Sequence, residues 1–179
     1  MAEIVNLQEI RDQNAVREGF RLLRSRFGQE FDAHTRLADL NPDVLYQLAQ
    51  PDDTGTQMLN GMILGFQGWG AAAAFEALDS GTKKAVVDLN LFITDMVRFE
   101  IMYRLGWLGE MPGRDLTLVS LIRNSAQARH ISRQNPPALS RNHPDYHSYQ
   151  KLFERDQQVF IRRLMLSALE AFRQVYGLH

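Results

Sequence analysis

MLNGMILGFQGWGAAAAFEAL, Met58 to Leu78, is the stretch on which the fold turns. It has the length of a membrane span, for which about 20 consecutive apolar residues suffice. Asn60, Gln67 and Glu76 interrupt it, and a carboxylate is costly in lipid. No aromatic belt or Arg/Lys cluster brackets both ends. The expectation is therefore a central helix buried in a bundle, opening near Thr54 or Thr56 and stopped by Asp79-Ser80-Gly81.

On a helical wheel Gly61, Gly65, Gly68 and Ala72 fall on one side of that helix. Each interior glycine costs about 1 kcal/mol relative to alanine, so something must offset it. Close approach of a neighbouring helix backbone fits, which makes these four residues a packing seam. Glu76 falls on the same side one turn further on, where a buried carboxylate would need a partner.

The next helical run, Thr82 to Leu108, is bounded by Gly106, Gly109 and Pro112-Gly113. With residues 55–79 it predicts a long antiparallel hairpin, 55–79 against 82–108. Lys84, Asp88, Asp95 and Arg98 share one polar stripe along the second arm. Glu100 and Arg104 lie instead on the face of Val86, Ile93 and Val97, spaced i,i+4 in the order that favours an ion pair. The plain expectation is a semi-buried pair. The sharper one is a polar pocket of Glu76, Glu100, Tyr103 and Arg104, walled by Trp69 and Phe92 with Met62, Phe66 and Met96.

Helical spacing continues outward in both directions. A helix from Leu7 to Phe27 carries Val16, Phe20, Leu23 and Phe27 on one face and stops at Gly28. Asn41-Pro42-Asp43 opens a short helix with Asn41 as cap, and Pro51 closes it. Another helix covers Leu116 to Arg133, and Pro136 and Pro137 put 134–143 in a loop. The last runs from Pro144 or Asp145 to Tyr176, with Phe160, Leu164, Ala168, Ala171, Phe172 and Val175 on its apolar side and Gly177 as its stop. Period-two alternation and hairpin dipeptides are missing. The sequence predicts one all-α domain over 1–179, a bundle of about six helices.

The chain of 179 residues is 45% hydrophobic and 23% charged, with no cysteine and a formal net charge of −1. That suits one soluble core and excludes disulfide scaffolds and Cys-ligated metal. Met1 to Asn6 lacks the basic start and apolar run of a secretory signal, so a cytoplasmic chain is expected. Metal patterns fail: no Glu-x-x-His pair occurs, Glu30 and His34 flank a helix break, and Pro144 separates His143 from His147. His130 has no orienting carboxylate in its helix. Nucleophile elbow, phosphate loop and dinucleotide fingerprint are lacking, so no catalytic residue, metal or cofactor is assigned.

Charge is unevenly divided. Residues 1–113 hold 10 basic and 16 acidic side chains; residues 114–179 hold 10 basic and 5 acidic. The excess lies in Arg123, Arg129, Arg133, Arg141, Arg155, Arg162 and Arg163, a residue type suited to carboxylate or phosphate. Complementarity between the two halves, or between two copies, accounts for this in a slightly acidic chain without a nucleic-acid signature. A small anion is the other candidate, offered by the 133–143 loop; neither nucleic acid nor a membrane is expected as a partner. The leading functional expectation is association without catalysis, as a homodimer. The alternative is a small-molecule binding or sensing bundle with its pocket between the central helices. An enzyme of unrecognised type is the third.

Overall fold

The computed structural model describes residues 6–179. Met1–Val5, where the secretory-signal reading begins, lie outside the described residues. Among the described residues the protein is all-α apart from one two-stranded antiparallel sheet. Helix α1 covers Leu7–Gly19 and α2 Arg21–Arg26. Asn6 caps α1 by accepting from the Gln8 and Glu9 amides, and Val16, Phe20 and Leu23 are buried as the spacing requires. The chain kinks between α1 and α2 at Phe20, whose ring sits 5.4 Å from Phe31 and 4.9 Å from Phe66.

Helix α3, Pro42–Ala49, begins with proline as expected. Asn41, however, makes no side-chain cap; its backbone amide donates to Gln29 Oε1 at 2.7 Å. Helix α4 is Asp53–Gln67, capped by Asp52, and α5 is Ser80–Arg104, capped by Asp79. The two pack antiparallel: Asn90 donates to Asn60 Oδ1 at 2.9 Å, while Ala85 and Leu89 share a depression with Ile63 and Gln67. They form the central hairpin, with different bounds from those the sequence suggests.

The first arm stops eleven residues short of Leu78. Gly68 adopts a left-handed conformation (φ +72°); its amide donates to the Gly65 carbonyl at 3.0 Å and that of Trp69 to Leu64 at 2.8 Å. This pair of bonds is a Schellman helix end. The chain then reverses, and Ala72–Ala77 form a 3-10 turn against α4. The expected helix was extended through an apolar run that in fact doubles back.

Beyond α5 the chain forms β1, Leu108–Glu110, which pairs with β2, Ala138–Leu139. Two short strands without alternation leave no sequence signal. Helices α6, Leu118–Arg123, and α7, Ser125–Gln134, replace the single expected helix and break at Asn124. The last helix is divided likewise into α8, Tyr146–Tyr149, α9, Glu154–Arg163, and α10, Met165–Tyr176. Its apolar face ends at Phe172; Val175, assigned to that face, is exposed.

Helix α4 lies against α1 and α5, and α5 also contacts α3, α6 and α10. One core cluster runs from Val16 to Phe172. Among the described residues no helix is long and apolar enough to cross a membrane.

Candidate functional site

Glu100 is fully buried on α5, among Val97, Ile101 and Met102. Burying a carboxylate demands compensation, and two guanidiniums supply it. Arg104 Nε donates to Glu100 Oε1 at 2.8 Å; Arg114 donates from Nε to Oε2 and from Nη2 to Oε1, both at 3.1 Å. Arg104 also donates to the carbonyls of Leu40 at 2.6 Å and Ala38 at 3.0 Å. The Arg114 guanidinium lies 4.4 Å from the Tyr103 ring centroid, and its hydrogen bonds to Glu100 raise its pKa above the ordinary arginine value. Every acceptor here is taken. The cluster binds α5 to the segments at 37–40 and 114.

The sequence did not place Arg114 in this group. The Pro112-Gly113 turn brings it back to a residue 14 positions earlier, a distance no local spacing encodes. Glu76, expected at the same pocket, is elsewhere. Because α4 ends at Gln67, Glu76 sits on the 3-10 turn with its side chain 86% exposed, paired to Lys83 at 3.4 Å.

The other expected pocket residues are dispersed. Met62 and Phe66 are sealed in the core. Trp69 lines a shallow depression with Ile63, Leu89 and Arg129, Tyr103 lies under Arg114, and Phe92 and Met96 face a separate cleft. Of the four seam residues, Gly65 meets α1: a Cβ built on it would overlap the backbone of Gly19. A Cβ built on Gly61 would lie 3.2 Å from Leu22 Cδ1 and 3.8 Å from the Ala72 Cβ, so Ala72 lies across from the seam rather than along it. Gly68 departs from the expectation, since its side faces open space and its role is to end the helix.

A cleft of about 710 Å³ opens between α5, α7 and α9. Phe92, Met96 and Phe99 from α5, with Leu91 at the rim, give it an apolar wall, and Pro136 and Pro137 extend it. The 3.6-residue period places 92, 96 and 99 in one row on α5. Arg129 and Arg133 project from α7, Arg155 and Arg162 from α9. The Arg129 guanidinium lies 4.8 Å from the Phe92 centroid and that of Arg162 5.8 Å from Phe99. Arg162 pairs with Asp95 at 2.5 Å; Arg129 donates to the backbone carbonyl of Asp88 at 3.2 Å. Among the described residues Arg133 and Arg155 make no ion pair, nor do Asp88 and Glu154 on the same walls.

A second depression of about 570 Å³ lies between α1, the turn at 32–34 and α6. Two of its three arginines are engaged: Arg24 donates to the Phe31 carbonyl at 3.0 Å and Arg123 to that of Phe66 at 2.9 Å. The histidine pair serves local structure. His143 Nδ1 accepts from the Asp145 amide at 3.1 Å and its ring meets Trp107 edge-on, while His147 contacts Gln150. Among the described residues no group of three or more His, Cys, Asp or Glu converges as a metal site would. No protein-family model, curated protein or solved structure matches the chain.

The cleft thus joins two residues singled out in the sequence, Phe92 and Met96, to the arginines of the C-terminal charge excess. Phe99, Pro136 and Pro137 were missed as lining residues. The period of α5 and the position of the prolines beside Arg133 are the signals that could have found them.

Proposed function

We propose that the protein is a binding module rather than a catalyst, with the cleft between α5, α7 and α9 as its working site. The observation that carries this is the composition of that cleft: a continuous apolar wall facing a rim of guanidiniums, in a volume of about 710 Å³. Small-molecule sites are mostly apolar, measure about 300–1,000 Å³ and carry a few convergent polar groups. Aromatic rings and guanidiniums hold a ligand; of the carboxylates on the same walls, Asp95 is paired to Arg162, and among the described residues no hydrogen bond joins Ser132 to a base that would activate it. The absence of cysteine is consistent with work in the cytoplasm.

Phenylnaphthylamine, a neutral fluorescent probe that brightens in apolar surroundings, tests the proposal. It is expected to bind at one site per chain. Ser132→Trp, which places an indole beside Met96, whose sulfur lies 3.7 Å from the Ser132 hydroxyl, should abolish binding while leaving the far-UV circular dichroism intact. Binding that survives this substitution defeats the proposal.

Self-association is the second reading. It is favoured by large apolar side chains standing in water on and beside the last two helices: Phe153 is 85% exposed, Leu166 67% and Val175 68%. Light scattering across micromolar concentrations should then give twice the chain mass, and Leu166→Glu should return it to the mass of one chain. A single-chain mass throughout would end this reading.

A further inference from the structure

We propose that the ligand of the α5–α7–α9 cleft is an amphipathic organic monoanion: an aromatic or alkyl body with one carboxylate or sulfonate charge at its end. This rests on the cleft being a binding site and adds the chemical class of what binds.

The apolar end follows from the α5 wall. Phe92, Met96 and Phe99 offer rings and a thioether, and Leu91 beside them is 62% exposed, apolar surface that a ligand body would cover. The charged end follows from the rim. Arg129 and Arg133 stand one turn apart on the same side of α7, where like charges repel, and Arg155 and Arg162 enter from α9. Arg162 is neutralised by Asp95. Arg129 is held by a ring face and a backbone carbonyl, neither of which cancels its charge. A guanidinium over a ring face keeps N–H donors in its own plane, and those Arg129 does not give to Asp88 can meet an anion.

The balance of charge fixes the valence. Four arginines face Asp88, Asp95 and Glu154, a surplus of one positive charge. A monoanion completes that balance. A polyanion such as a nucleic acid strand would be repelled by Asp88 and Glu154, which have no partners among the described residues, and would gain little from the apolar wall.

Two fluorescent probes with the same aromatic body separate the claims: anilinonaphthalenesulfonate, which carries one negative charge, and phenylnaphthylamine, which carries none. The sulfonate is expected to bind at one site per chain and about tenfold more tightly, the scale of one charge-assisted hydrogen bond. The double variant Arg133→Gln/Arg155→Gln, at two exposed positions, should erase that preference and leave the neutral probe unaffected. Wild-type protein gives an independent measure: sodium chloride raised toward about 1 M should weaken the sulfonate and spare the amine. If both probes bind alike, Ser132→Trp blocks both, and neither salt nor the double variant separates them, the cleft is a binding site and the monoanion claim is wrong. If Ser132→Trp affects neither probe, the cleft is not the site and both claims fall.

Discussion

At the residue scale Gly61 and Gly65 within α4 and Gly68 at its end show how one residue type serves three purposes. Gly65 admits the backbone of Gly19, so a methyl group there must move a main chain. Gly61 faces the end of the Leu22 side chain, which can shift by rotation. Gly68 needs neither space nor contact; its left-handed backbone is what favours glycine. Gly65→Ala is therefore expected to destabilise the fold by about 1–3 kcal/mol, as overpacking does. Gly61→Ala should be near neutral, because the helix propensity it gains offsets the displacement of Leu22. Urea midpoints for the two variants check this, and equal midpoints would show that α1 and α4 are not in backbone contact at Gly65. A wheel drawn from the sequence selects small residues on a common side, and Gly61 and Gly65 do line one side of α4. The same wheel carries no information on where the helix ends, so it counted Gly68 and Ala72 as continuing it. Gly19, the partner of Gly65, was passed over because it sits inside what reads as an unbroken helix.

At the scale of elements, α5 is the piece to which others are tied, and Glu100 is the knot. Its carboxylate joins Arg104, which holds the carbonyls of Ala38 and Leu40, to Arg114, whose own carbonyl accepts from the Ala38 amide at 3.0 Å. The segment at 35–38 and the one at 114–118 are further paired by Leu118 donating to the Thr35 carbonyl and Leu37 to that of Leu116. Removing the anion would leave two guanidiniums in a largely dry site without their counter-charge. Breaking a buried pair costs about 3–5 kcal/mol. Partial exposure of Arg104 and Arg114, 16% and 29% at their side chains, puts Glu100→Ala at the lower end, about 3 kcal/mol. Arg114→Ala should cost less, since Arg104 still pairs the carboxylate. The comparison is read from urea unfolding of the two variants; a Glu100→Ala loss no larger than that of Arg114→Ala would mean the carboxylate is not the centre of the group. Half of this cluster was legible: Glu100 and Arg104 are one turn apart in a favourable order and lie on the apolar face. The other half depends on a chain reversal at Gly113 (φ +88°) and on backbone acceptors 60 or more residues away, for which the sequence has no local mark.

At the scale of the whole molecule, the uneven charge of the two halves resolves into distinct uses. Arg114 and Arg162 meet carboxylates of the first half, Arg123 and Arg129 meet its backbone carbonyls, and Arg133 and Arg155 stay at the cleft. The excess itself was visible in the composition. Its division was not, because it depends on which faces of α7 and α9 turn toward α5. The halves are also joined through apolar contact: α10 packs on α3 and α5, β2 pairs with β1, and one core cluster includes residues from Val16 to Phe172. Neither half retains a closed core when the other is removed, so the chain is expected to unfold as one cooperative unit. Two probes report on different parts of it. Far-UV circular dichroism follows all the helices, while the fluorescence of Trp107, packed 5.3 Å from His143, follows the docking of the 138–143 segment beside β1. In a Trp69→Phe background, which leaves Trp107 as the sole indole, the two urea transitions should coincide in midpoint and slope. A fluorescence change that precedes the loss of helix would mean that the C-terminal third separates first, and that the shared core does not bind the two halves into one unit.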